Sequence, residues 1–356
     1  MTAHPLTSAH DPSVPADTGS TTTPSTTTGS TTTPSTTTGG TTTPSTPPYP
    51  AKKTRSAGTG NTSRTPGRRP RRIRENLVAY LFLAAGILCF ALFSWYPIVR
   101  GVLLGFQQVT FAEPAQWVGL DNFQRLFADP LFVTAWRNTG WFTLLALVFG
   151  FAAPFATAVV LNELRHGKAY LRMTVYLPVM LPPIVTMLLW RWFYDPGPGL
   201  FNQVLEVFHL PAQQWLESEN LAMVSLVLVS TWANMGTTTL IYLAALGGIP
   251  GELYEAAELD GASIRQRLWH ITIPQMRFIL MITLLLQVIG TMQVFVEPFV
   301  LTGGGPDDAT VTVLLLLYRY AFVYNDFGLA SAMSTLLFVV LGLFAGVYLR
   351  LTRTKG

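Results

Sequence analysis

Two of the most apolar stretches of this 356-residue chain carry polar side chains. Asn234, Thr237, Thr238, Thr239 and Tyr242 lie within 221–246, with Trp232 beside them; Gln287, Thr291, Gln293 and Glu297 lie within 278–302. Polar groups inside apolar segments are costly and face a cavity or another helix. Planar amides suit the hydroxyl groups of a ligand, and indole and phenol faces suit its apolar C–H groups. The chemistry on offer is therefore binding, and the candidate substrate-path residues are Trp232, Asn234, Tyr242, Gln287, Gln293 and Glu297. The plainer role for each is an interhelical hydrogen bond, worth about 1 kcal/mol or less. Catalysis finds no such set. No Ser-His-Asp arrangement stands out, and His166, His209 and His270 lack metal-ligand spacing. The GGGP of Gly303–Pro306 lacks the GK[ST] ending of a phosphate-binding loop, and no such ending occurs elsewhere. The chain is expected to bind no metal or cofactor of its own and to be no enzyme.

A second constellation lies in the polar segment 247–277. Pro250 and Gly251 break the preceding helix, and Glu252–Leu259 reads as a short helix with acidic residues early, as the helix dipole favours. Gly261 stands where a left-handed residue closes such a helix. Ser263 with Gln266 matches a capping box opening a second helix, whose Ile264, Leu268 and Ile271 share one face. Pro274 is expected to end it. The result is a compact helix–turn–helix knob. From the residues alone it is either a well-capped loop on the membrane surface or a docking element for a partner outside the bilayer.

The elements around these residues are membrane spans. Only 12% of residues are charged, against about 25% in a soluble domain, and mean hydropathy is +0.37. Apolar runs near twenty residues fit a hydrocarbon core about 30 Å thick, and the short-period alternation of a β-barrel does not occur. The fold class is an all-α polytopic membrane protein of about six transmembrane helices, near 77–99, 139–162, 171–194, 221–246, 278–302 and 328–350. Residues 311–323 are too short to span comfortably and are placed as an external helix that packs on the bundle or dips into it. Residues 1–66, with their repeated TGSTTTPSTT, hold almost no large apolar side chains and are expected to form a disordered cytoplasmic arm. A basic flank at 67–76, the transmembrane domain 77–350 and a tail at 351–356 follow. Basic residues in 163–170, 247–277 and the tail, against acidic residues in 195–220 and 303–327, place both termini in the cytoplasm. The net charge of +4 is thus used for orientation in the lipid and points to no nucleic acid. Cys89, the only cysteine, falls in an apolar run and is expected to pack as a small side chain.

The pattern E-A-A-x3-G-x9-I-x-[LI]-P is present as Glu255, Ala256, Ala257, Gly261, Ile271, Ile273 and Pro274. It resembles the signature of permease subunits of binding-protein-dependent ABC importers, and a chance match is on the order of one in millions per site. WVGLDNF at 117–123, AALGGIP at 244–250 and EPFVLTGGGP at 297–306 resemble the carbohydrate branch, in particular its maltose F-type first permease subunit. The resemblance covers roughly residues 75–350. It implies a cytoplasmic coupling helix at 252–259 seated on a separate ABC ATPase dimer that holds ATP and Mg. It further implies a second homologous permease subunit, an external solute-binding protein, a bacterial cell membrane, and sugar import by alternating access. Glycerol-3-phosphate is the alternative cargo, with Arg191 as the candidate cationic group. A stand-alone secondary transporter would show repeat halves or mid-membrane ionisable pairs, and a membrane enzyme would show clustered catalytic groups. None of these is found.

Overall fold

Carboxylates and prolines set where several helices begin. In a computed structural model of the chain, Asp129 accepts from the Leu131 amide at 2.8 Å, and Pro130 opens a helix that runs to Glu163. Proline costs nothing there, because the first-turn N–H has no intrahelical acceptor. The structure describes residues 71–110, 114–164 and 166–353, with side chains from 77 onward. The arm 1–66, the start of the 67–76 flank and the end of the 351–356 tail lie outside the described residues.

Helix α1 (Arg71–Phe90) begins inside the expected basic flank and passes through a π turn, Ala91–Trp95, into α2 (Tyr96–Leu104). Together they form an apolar span, Leu77–Leu104, whose most apolar stretch buries no residue within the chain. Cys89 is accordingly exposed on α1, not packed as expected, because the described residues give this helix no partner there. A short antiparallel ribbon, β1 (Gln107–Gln108) with β2 (Gln116–Trp117), leads to α3 (Asp121–Ala128) and α4 (Pro130–Glu163).

The third span is a correction. Instead of one helix over 171–194, α5 (Lys168–Met180) and α6 (Pro183–Phe193) meet at 102°. Pro182 and Pro183 explain the break: each lacks an N–H, and each disfavours helix in the residue before it. Leu181 and Pro182 are extended there, with ψ of 138° and 134°. A short helix, α7 (Leu200–Val207), precedes α8 (Glu219–Gly247).

The knob begins with α9 (Gly251–Leu259) and α10 (Ile264–Arg267). Here too one expectation fails. Pro274 does not end the second helix: a π turn over Leu268–Thr272 carries α10 into α11 (Ile273–Thr291), giving one continuous helix, Ile264–Thr291. In the π turn the Ile273 amide bonds back to the Leu268 carbonyl. The wider turn re-registers the ladder next to the proline, which has no N–H to donate. The same shift corrects the fifth span, expected at 278–302. The helix stops at Thr291, and a non-helical stretch leads to a π turn at Pro298–Thr302. Irregular backbone at such a place is tolerated when it lines a cavity or is covered by protein.

Helix α12 (Val313–Tyr318), with its following π turn Arg319–Val323, packs on the bundle as expected of 311–323. Its Val313, Leu316, Tyr320 and Ala321 join Leu126, Ala135 and, from α13 (Phe327–Arg353), Ala332 and Met333 in one buried cluster. Hydrogen bonds fix the loop before it: Asn138 donates to the carbonyls of Asp308 and Val311, and Thr139 accepts from the Val313 amide at 2.9 Å. Tyr320 donates to the Asp129 carboxylate at 2.6 Å; burial, and then that carboxylate, hold the phenol above the usual tyrosine range. Among the described residues, five helices are long and apolar enough to cross a membrane, and the bent α5–α6 pair makes a sixth if counted as one span.

Candidate functional site: a polar cavity and a stapled hairpin

A small-residue stripe on α4, Ala146, Gly150, Pro154 and Ala158, is buried at intervals of four. Such a stripe lets helix backbones approach closely, and it brings α8 and α11 alongside α4. Where the three helices diverge, a cavity of about 460 Å³ opens, within the range of about 300–1,000 Å³ usual for ligand sites. Asn234 of α8, Gln287 of α11, Gln293 of the unwound stretch and Glu297, just before the π turn at Pro298–Thr302, line it, with Thr231, Thr237, Thr238 and Thr291. Four of the six expected substrate-path residues are thus brought to one place.

Trp232 and Tyr242 are not among them. Helix geometry gives the reason: at about 100° per residue, Trp232 points about 160° away from Asn234 and Tyr242 about 80° away. Trp232 instead meets Trp190 edge-on at 5.6 Å, in an aromatic cluster with Phe193, Tyr194 and Phe201. Tyr242 is fully buried, bonded to Thr283 at 2.9 Å and flanked edge-on by Phe151 and Phe155. Both are core groups.

Sequence reading missed the α4 wall, formed by Phe142, Ala146 and Gly150. These side chains carry no polar atom, so only their four-residue spacing was available as a signal. Gly150 matters by its size. A Cβ there would lie 2.8 Å from Gln287 Nε2, whose amide donates across to the Ala146 carbonyl at 3.4 Å.

At the other end of α11, α9 is closed by a full Schellman motif. The Gly261 amide bonds to the Glu258 carbonyl at 3.0 Å and the Ala262 amide to the Ala257 carbonyl at 2.8 Å, with Gly261 left-handed at φ 76°. The capping box forms as expected: the Ser263 hydroxyl accepts from the Gln266 amide, and the Ser263 amide donates to Gln266 Oε1. Two further staples had no sequence signature. Tyr254 bonds to Thr272 at 3.0 Å, and Arg267 pairs with Glu258. They tie α9 to the base of the helix that α10 begins. Glu255 and Ala256 are exposed and Ala257 is half-buried; Ile271 and Ile273 face inward in part, and Pro274 is exposed. Around the tip, Leu259 is 90% and Ile264 68% exposed.

Comparison with known proteins gives the family. The chain is 34% identical over 272 residues to the probable ABC transporter permease protein YurN of Bacillus subtilis, covering 75% of this chain and 93% of the relative. It is 32% identical over 283 residues to the trehalose/maltose transport system permease protein MalF of Thermococcus litoralis, covering 79% and 96%. The fold matches that of a bacterial ABC transporter involved in the import of the acidic polysaccharide alginate, with a TM-score of 0.72 at 24% identity over 80% of this chain and 98% of that one. The family profile described as binding-protein-dependent transport system inner membrane component matches residues 161–353, the stretch from the end of α4 to the end of α13 that holds most of the cavity wall and the whole hairpin. The chain belongs to that family.

Proposed function

We propose that this chain is the permease subunit of an ATP-driven importer that translocates a sugar or oligosaccharide handed over by an external binding protein. The observation that carries the reading is the pairing on one helix. Ile264–Thr291 starts at the capped hairpin and ends in the wall of the polar cavity. Cargo contact falls to Asn234, Gln287, Gln293 and Glu297, and coupling to the exposed Glu255 face and the Gly261 turn. The ATPase is a separate dimer binding ATP and Mg, and a second permease of the same family completes the path. Basic residues beside the hairpin, Arg265, Arg267 and Arg277 among them, support a cytoplasmic hairpin and cytoplasmic termini. The test is affinity purification from the native membrane in mild detergent. Recovery of a nucleotide-binding ATPase and a second permease is expected. Recovery of the chain alone, transporting in liposomes without ATP, would overturn the reading.

A transmitting hairpin must be stiff, and Tyr254 supplies part of that stiffness. Loss of one such hydrogen bond costs about 1 kcal/mol, so Tyr254→Phe is expected to leave the melting temperature within a few degrees of wild type. Sugar moved per ATP hydrolysed, measured in proteoliposomes of the assembled transporter, is expected to fall several-fold. An unchanged ratio would assign Tyr254 to structure only.

A further inference from the structure

The charge of the cavity wall narrows the cargo, on the reading that this cavity is the transport path. Asn234 donates one N–H to the Ser230 carbonyl, Gln293 one to Ile289 and Gln287 one to Ala146. Thr291 and Thr283 donate their hydroxyls to carbonyls one turn back. Each of these amides keeps its oxygen and one further N–H, so the neutral groups of the wall can both accept from and donate to a ligand's hydroxyls. Glu297 adds the one carboxylate of the lining, and among the described residues it is in no ion pair. Among the described residues no Lys, Arg or His lines the cavity. Thr231 contributes a buried hydroxyl with no partner among those residues, available to a single ligand group.

We infer that the cavity is selective by charge: it passes neutral or amino-bearing saccharides, whose O–H and N–H groups meet these acceptors, and rejects saccharides bearing carboxylate or phosphate, with Glu297 as the residue that sets the preference. An anion entering here meets a like charge and, from the described residues of this chain, no cation to replace its water. The shared fold does not decide the matter, since the structurally similar alginate importer carries an acidic polysaccharide. The same reasoning removes glycerol-3-phosphate, because Arg191 lies at a different, external pocket with Asp195 and Glu217.

The test uses the complete transporter with its ATPase, second permease and binding protein. Three trisaccharides are titrated against it by saturation-transfer NMR: maltotriose (neutral), the glucosamine trimer (cationic) and the galacturonate trimer (anionic). The expected result is binding of the first two and at least tenfold weaker binding of the third. In Glu297→Gln, an isosteric change, the preference for the cationic over the anionic trimer is expected to shrink at least tenfold. Glu297→Lys is expected to invert it. Equal binding of the anionic and neutral trimers by wild type, or an unchanged preference in Glu297→Gln, overturns the inference. So does failure of all three to bind while ATP-driven saccharide uptake persists, since the cargo would then rest elsewhere. Absence of ATP-driven uptake of any saccharide, including whatever the binding protein captures, instead defeats the importer reading on which the inference stands.

Discussion

A chain carrying Gly261→Asp is expected to insert into the membrane at wild-type levels and to lose sugar uptake by at least a hundredfold. Gly261 holds φ at 76°, and a Cβ built on it would find no atom within 4 Å. Nothing in the chain's own packing therefore resists a side chain. The intrinsic cost is that of a left-handed L-residue, about 1–2 kcal/mol, plus about 0.3–1 kcal/mol for an anion at a helix C-terminus. Penalties of this size loosen one turn and leave the three buried clusters of the bundle untouched. They do place a third acidic group beside Glu258 and Asp260, on the face proposed to meet the ATPase. Gly261→Ala carries the same backbone strain without the charge and is expected to retain partial uptake. The checks are quantitative blotting of membranes, transport of the binding protein's own cargo and co-purification of the ATPase. Wild-type uptake by Gly261→Asp would refute docking at this turn.

Gly236→Leu is expected to fail at an earlier stage, by not accumulating as folded protein. Gly236 lies where α8 crosses α5. A Cβ there would sit 2.6 Å from the Val175 carbonyl oxygen, 2.9 Å from Val179 Cγ2 and 3.0 Å from Tyr176 Cα. Two of these three atoms are backbone, so relief requires α5 to move as a body. Overpacking of this kind costs about 1–3 kcal/mol for small insertions and more for large ones. Gly236→Ala is accordingly expected to lower the thermal midpoint of the detergent-purified chain by several degrees. Accumulation and melting of Gly236→Leu at wild-type levels would show that α5 and α8 do not pack in this way. The two glycines fail for opposite reasons, one by backbone angle in open space and the other by bulk at an ordinary angle.

What was legible in the sequence follows from how local each signal is. The hairpin turn was legible because Gly261, Ser263 and Gln266 act through contacts within six residues of chain. Asn234, Gln287, Gln293 and Glu297 were legible as a group because polar atoms in apolar runs are few. Sequence reading failed where two signals competed. Pro274 is a helix breaker by propensity, but the π turn at Leu268–Thr272 absorbs it, and no residue type marks an i+5 turn in advance. Pro182–Pro183 was the converse case, a true break inside an apolar run long enough to look continuous. Trp232 and Tyr242 were placed by chemistry alone, without their rotation about α8. The staples Tyr254–Thr272 and Glu258–Arg267 join residues on two helices whose relative placement only the fold supplies.

The absorbed proline has a mechanical result. Because α10 and α11 are one rod, the 28 residues from Ile264 to Thr291 extend about 42 Å at 1.5 Å per residue. A tilt of about 10° in such a rod displaces one end by about 7 Å relative to the other, comparable to the girth of a sugar ring. The gearing is set by length, and the helix runs unbroken through the π turn at Leu268–Thr272 and past Pro274. A hairpin that ended at Pro274 would have needed a hinge there, and every hinge adds a state in which the inner end has moved and the outer end has not. This chain is built without that slack, so the opening of the cavity wall and the seating of the hairpin are two readings of a single angle.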